Sequence, residues 1–396
     1  MKEKYPCPIK LSYGQYTFKN PDGTLWSDVY GEKAVFTYIS DFHEGFACVQ
    51  VCDGRTFVDC SGNLLEHRFL SADNFQEGFA RVVLKNHDYA FLDKNGNVIE
   101  HGFKYASGFR DGFAHVELKN GDCTFVDRNG DLIKHRFLDT RDFHEGFAAV
   151  QLKNGDWTFI DANCELMKHK FKYASNFHQG FAAVKLKSGD WTFVDTNGEF
   201  MRHRFWSAKD FHEGFAVVEL KGGYRTFVDT DGNFVAHKFV GANDFHEGFA
   251  PVTLRNGSIT FMDANGNLMK CRFEPSDYIS LNNFCKGLAQ FRSKFDPEKL
   301  QVLDKYENIW EGDEANQLYK IYSDPQQLFE LKNIDKKYFK TALSVIKQKL
   351  VDMEKSSPKE KFEGYKAKLN EKIQEKFGDL VEELRQDRIY VKYREY

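Results

Sequence analysis

The feature that most limits how this chain can fold is a 34-residue sentence written over and over. The glycine of a Glu-Gly-Phe-Ala motif recurs at Gly45, Gly78, Gly112, Gly146, Gly180, Gly214 and Gly248. The phenylalanine of a Thr-Phe-Val-Asp motif recurs at Phe57, Phe91, Phe125, Phe159, Phe193, Phe227 and Phe261, each 34 residues from the next. A looser copy precedes them (Ile9–Gly23) and another follows (Gly287–Trp310), which makes nine. A fixed period of this length implies a solenoid, a propeller or an array of stacked units.

Each copy parses into strands. In Phe147–Lys153, Ala148, Val150 and Leu152 point one way while Ala149 and Gln151 point the other, the period-two pattern of a half-buried strand. Asn-Gly-Asp supplies a hairpin turn, Trp157–Asp161 the second strand, and the Asp-x-x-Gly segments a further turn in which Gly tolerates positive φ. Leu166–Phe171 reads as a third short strand, with room for a fourth very short one. The 39 Phe favour this reading, because large rings pack well on a pleated surface. One such meander cannot bury its own apolar face, so neighbours must stack. The expectation is an all-β array of about nine antiparallel meanders. Worn end copies and a short unit point to an open solenoid-like arrangement, with a β-propeller as the alternative.

Phe-x-Glu-Gly-(Leu/Phe)-Ala, an apolar strand, Gly-x-Trp and an Asp-x-x-Gly hairpin resemble the bacterial WG-repeat (KWG-repeat) family from about Ile9 to Trp310. The name-giving Trp-Gly is replaced by Trp157–Thr158 and Trp191–Thr192, and elsewhere by Cys123–Thr124 or Arg225–Thr226. The resemblance implies a β-repeat protein of the interaction type, with no catalytic residues.

Candidate chemistry lies mostly in columns. One histidine column holds His43, His144, His178, His212 and His246; the other holds His67, His101, His135, His169, His203 and His237. A column spreads its ligands, whereas a metal site converges them, so no metal or other cofactor is expected. The expected partner of each His is a backbone carbonyl or the neighbouring Glu44, Glu145, Glu213 or Glu247. The repeated Asp-x-(Asn/Asp)-Gly places Gly too early for a calcium loop, so Asp is expected to bond its own turn. An enzyme would need one odd residue where other copies agree; Cys48, Cys164, Arg110 and His115 qualify, without a supporting set around them. The first strand's other face varies from copy to copy. Arg81, His115, Glu117, Gln151, Lys185, Glu219 and Thr253 are therefore the candidate partner face. Trp157, Trp191, Tyr89 and Tyr224 keep carbohydrate or small-ligand binding as the alternative.

After Trp310 the period stops. Residues 1–312 hold 37 Lys and Arg against 43 Asp and Glu, and residues 313–396 hold 18 against 16, so two domains meet near 312. Glu311–Gln317 reads as a polar joint. Asp335 caps a helix with Phe339, Ile346 and Leu350 on one face. A capping box at Ser357–Glu360 opens another, with Phe362, Leu369 and Ile373 in a stripe that Gly378 ends or bends. These six apolar residues are the candidate tail interface of a helical hairpin, available for homo-oligomerisation or a protein partner. Residues 388–396 alternate like a strand.

A formal net charge of −4 argues against nucleic acid. Eight cysteines without a CxxC fit reduced thiols, and no apolar run has signal-peptide or membrane-helix length, so a cytoplasmic protein is expected. The sequence thus describes a non-enzymatic protein–protein scaffold whose helical tail mediates association.

Overall fold

The alternating strands pair with their sequence neighbours because the turns between them are short. In the computed structural model, which describes residues 5–11, 14–26, 34–235, 237–331, 334–356 and 359–386, nine antiparallel hairpins follow one another along the chain. They include both worn copies: Cys7–Lys10 pairs with Tyr16–Lys19, and Leu288–Ser293 with Gln301–Asp304. The chain divides into two compact units, Met1–Asp210 and Phe211–Tyr396.

In the first unit, Phe147–Gln151 pairs with Trp157–Asp161 in the register Ala149 opposite Phe159. The two-residue strand Asp139–Thr140 adds along the free edge of Phe147–Gln151. The third strand expected from Leu166–Phe171 differs. It is reduced to two single bridges, Ile160 with Leu166 and Trp157 with Phe171. The reason lies between them, where the chain bulges. The Thr158 hydroxyl lies 3.0 Å from the Met167 carbonyl and 2.8 Å from that of His169, and Lys170 Nζ donates to Met167 at 3.0 Å. Arg136 and Arg204 fill the Lys170 role in other copies. Val98–Phe103 is the copy in which the strand runs through.

The strands are also buried on both faces, not one. Ala148, Val150 and Ile160 pack with Phe125 and Phe137 of the preceding copy, with Phe143 of their own copy between them. Ala149, Trp157 and Phe159 pack with Phe177, Ala182 and Val184 of the following copy. This sheet is thus a layer between two others. The rings interlock in a repeating way: Phe113 stacks on Phe143 at 4.4 Å, and Phe143 meets Phe125 edge-on at 5.0 Å.

In the second unit the last hairpin meets helices. Glu311–Gln317, read as a joint, opens a helix instead: α1 spans Gly312–Ser323 and buries Ala315, Leu318 and Ile321. Its apolar spacing of three was masked by the acidic residues around it. A 3-10 turn, Pro325–Glu330, leads towards α2 (Lys336–Ser356) and α3 (Lys359–Gln386). The Tyr338 amide donates to Asp335 Oδ1 at 2.7 Å, the cap expected there. α3 bends at Phe377, beside Gly378, where φ is −126° and ψ 27°. Leu288, Val302 and Trp310 of the last copy share one core with Leu318, Phe339, Ile346, Leu369 and Val381 of the helices. The capping pair Ser357–Pro358 and the alternating segment 388–396 lie outside the described residues. Among the described residues, no helix is long and apolar enough to cross a membrane.

Candidate functional site

The seam between copies explains the Glu-Gly motif. Glu145 and Gly146 are the two central residues of a tight hairpin closed by His144 and Phe147, and both have positive φ, 54° and 79°. That geometry suits Asn, Asp or Gly, and a Glu there costs about 1 kcal/mol. Its carboxylate offsets the cost. It accepts the next copy's Gln179 and Gly180 amides at 2.7 and 2.8 Å. Glu44 holds Glu77 and Gly78 in the same way, and Glu77 holds Asp111 and Gly112. In the second unit Glu213 holds Glu247 and Gly248, and Glu247 holds Lys286 and Gly287. These carboxylates form a ladder, each rung clasping the turn of the following copy. The sequence had offered either these carboxylates or a backbone carbonyl as partners of the histidines; the carboxylates reach forward to amides of the next copy. The signal was present in the period, but only coordinates show that the carboxylate reaches forward.

The histidines also have identifiable places. His144 and His178 lie side by side at 4.5 Å, and His212 and His246 at 6.3 Å. In the other column His101 Nε2 lies 3.0 Å from the Gly130 carbonyl of the next copy, while His135 stacks on Phe137. His169 borders a groove of about 490 Å³ that continues over the next copy's Asn197 and Gly198. Among the described residues no three His, Cys, Asp or Glu side chains converge on one point. The turn aspartates are engaged locally. Asp59 Oδ1 accepts the Ser61 and Asn63 amides; burial pushes its pKa up, but Asn63 and these amides outweigh that and hold it low.

The odd residues carry structure. Cys48 is buried against the next copy, and burial pushes its thiol up to about 11, which leaves it protonated and unreactive. Cys164 occupies a turn position at φ 64° where other copies have Gly. None of the eight cysteines is in a disulfide.

The candidate partner face does not stand out as one exposed surface. Arg81 binds Asp73 and reaches across to the Ala106 carbonyl of the next copy at 3.0 Å. His115 faces Asp142 of the next copy at 3.7 Å and holds that carboxyl below the usual carboxylate range. Glu117 accepts Lys104 at 2.6 Å, Gln151 donates to Gly155, and Lys185 lies over Trp191. Glu219 lies 3.8 Å from Arg225, and Thr253 stands against Gly241. All seven are half-buried. Positions equivalent to Arg81 vary because each fits its own seam. The tail stripe is likewise engaged: Phe339, Ile346, Leu350, Phe362, Leu369 and Ile373 all lie inside the shared core.

The outer rim of the sheets is open. In the first unit Leu70, Lys104, Leu138, Lys172 and Trp206 recur every 34 residues immediately before the edge strand, and all are exposed. Leu70, Leu138 and Trp206 show 48%, 46% and 65% of their surface. The amides of Leu70 and Leu138 donate inward, to Val83 and Gln151, which fixes the side chains outward. Beside this row run aromatic rings clasped by cations: Arg141 lies over Trp157 and Tyr173, and Tyr173 meets Trp191 at 5.5 Å. The sequence missed the rim because its residues alternate Leu, Lys, Leu, Lys, Trp, so no single type marks the column.

The family described as WG containing repeat matches residues 33–54, 89–121, 124–157, 157–188, 191–224 and 226–257. No curated protein matches the sequence. Solved structures similar to this chain include the computationally designed Ika8 protein, at 14% identity and a TM-score of 0.30 over 68% of this chain and 96% of that one. BamB from Moraxella catarrhalis is another, at 11% identity and 0.30 over 70% and 96%.

Proposed function

We propose, from the premise that this chain belongs through residues 33–257 to the WG-repeat family, that it is a non-enzymatic scaffold which binds another protein along the outer rim of its repeats. One observation carries this reading. Both faces of the Phe147–Asp161 sheet and, in the second unit, the helical stripes are occupied, while Leu70, Leu138 and Trp206 keep about half their surface or more in solvent, interleaved with Lys104 and Lys172. Exposed apolar side chains in register suit a protein contact. The aromatic row beside them suits a sugar less well, because Arg141 already covers Trp157, which is only 8% exposed.

Affinity capture with the full chain and with a Leu138→Asp/Trp206→Asp variant tests the reading. The expected result is a partner that cross-links at Lys104 or Lys172 and is lost from the variant. A partner retained unchanged by the variant contradicts it. With the helical stripe buried, light scattering of the full chain is expected to give a monomer.

A further inference from the structure

The carboxylate ladder has a beginning as well as an end. Its first turn is built like the others. His43 and Phe46 exchange both backbone hydrogen bonds, at 2.8 and 3.0 Å, and Glu44 and Gly45 between them have φ of 52° and 97°. Elsewhere this conformation aims two successive amides at one carboxylate. Glu77 and Gly78, Gln179 and Gly180, Glu247 and Gly248, and Lys286 and Gly287 all donate to a glutamate of the copy before, at 2.7–2.9 Å. Where the shorter Asp111 takes the clasp position, it still accepts Gly146 at 3.2 Å. At the first turn, among the described residues, nothing accepts the Glu44 or Gly45 amide. Glu44 is exposed, and a Cβ on Gly45 would meet open space. The Glu44 carboxylate cannot serve its own turn, because it reaches forward to Glu77, Gly78 and Lys94. In sequence register the clasp position of the copy before is Lys4, a residue type with donors and no acceptor.

We propose that the Glu44–Gly45 turn is a binding site for a carboxylate from outside the chain, the acidic side chain of a partner protein, which adds the missing first rung. The chain itself identifies the ligand, since the same turn holds a carboxylate in every copy named above. Successive backbone amides in such a turn form an anion-binding concavity, and hydrogen bonds to a charged acceptor are the stronger kind. The last turn of a second copy does not fit, because Lys286 there offers a cation. The site uses none of the rim residues Leu70, Leu138 or Trp206, so it stands or falls separately from the rim.

The test is an amide-resolved NMR titration of the full chain with a capped glutamate, N-acetylglutamate α-amide, at millimolar concentration. The Glu44 and Gly45 amides are expected to shift with saturation, and the clasped Gly78 and Gly180 amides to stay in place. The capped glutamine analogue is expected to bind about tenfold more weakly or worse. N-acetylglycine, standing for a chain terminus, is expected to bind no more tightly than the capped glutamate. Glu145→Ala removes the clasp from Gln179 and Gly180 and should make the Gly180 amide respond as well. A silent Gly45 overturns the proposal, whether or not Gly180 responds in Glu145→Ala. So does an equal response to the glutamine analogue, or a Gly78 shift as large as that of Gly45. Tighter binding of N-acetylglycine overturns the assignment to a side chain.

Discussion

The seams between middle copies and the seam between the last copy and the helices solve one problem in opposite ways. At Glu145 the clasp is exposed, the following turn opens onto solvent, and the same contacts recur one period later. At Glu247 the clasp is half-buried, and Gly287 of the turn it holds is buried against α2 while Lys286 stays exposed. A Cβ on Gly287 would meet Val345 Cα at 3.4 Å, and its φ of 78° already favours glycine. The ladder also stops there, because Lys286 stands where the motif has Glu, and its ammonium lies over Tyr319 and Tyr322 of α1. Middle seams are many, similar and tolerant of change. The terminal seam is single and asymmetric, and it ends the series by replacing a forward-reaching anion with a cation that packs on helices.

The largest effects should come from the ring cores of both seams. Phe159→Ala and Phe339→Ala each remove a fully buried ring, at a cost of about 3–5 kcal/mol. Phe339→Ala is expected to lose helical circular dichroism and amide protection in the last strands together, since they share a core, whereas Phe159→Ala keeps the helical signal. Separate loss of helix and last strands in Phe339→Ala would break the comparison. Next come the clasps. Glu247→Ala leaves the part-buried Gly287 amide without an acceptor beside α2 and is expected to cost about 2 kcal/mol, against about 1 kcal/mol or less for Glu145→Ala in the open. Chemical denaturation of the two variants measures the gap, and equal costs would erase the distinction drawn between them.

The pH response should differ in sign. Burial raises the Glu247 pKa more than the Lys286 and Gly287 amides lower it. The native state then holds its proton more tightly than the unfolded chain, so this group's contribution is present below the ordinary glutamate pKa and falls as pH rises above it. At Glu44 burial also raises the pKa, but Lys94 and the Gly78 and Glu77 amides prevail and the net shift is downward. Its contribution is present above the ordinary glutamate pKa and is lost as pH falls below it. Melting of Glu44→Gln and Glu247→Gln beside the native chain should show differences of opposite slope, and a common slope would count against the burial contrast. The smallest effect belongs to the surface pairs that also bridge copies. Lys119→Met removes an ion pair with Asp88 and should change stability by less than about 0.5 kcal/mol.

Particular residues show where sequence reasoning stopped. Period two along Phe147–Gln151 was legible, and so was the need for neighbours, but not that both faces would be covered. Alternation reports the pleat; it does not report how many layers lie on it. For that reason Arg81 and His115 looked like a docking face and turned out to be seam residues. The bulge after Met167 was hidden because Leu166–Phe171 has strand-like residues, while the competition for its carbonyls comes from Thr158, nine residues back. Helix α1 was missed where its buried face is three small or aliphatic residues among charges.

By itself the sequence determined the repeat, its strands, its nine-fold count and the change to helices, because these are local properties written in spacing and turn chemistry. Only the tertiary structure decided which surfaces stay free. Whether a side chain meets solvent, the next copy or a helix depends on what packs beside it, and that neighbour is a full period or more away along the chain.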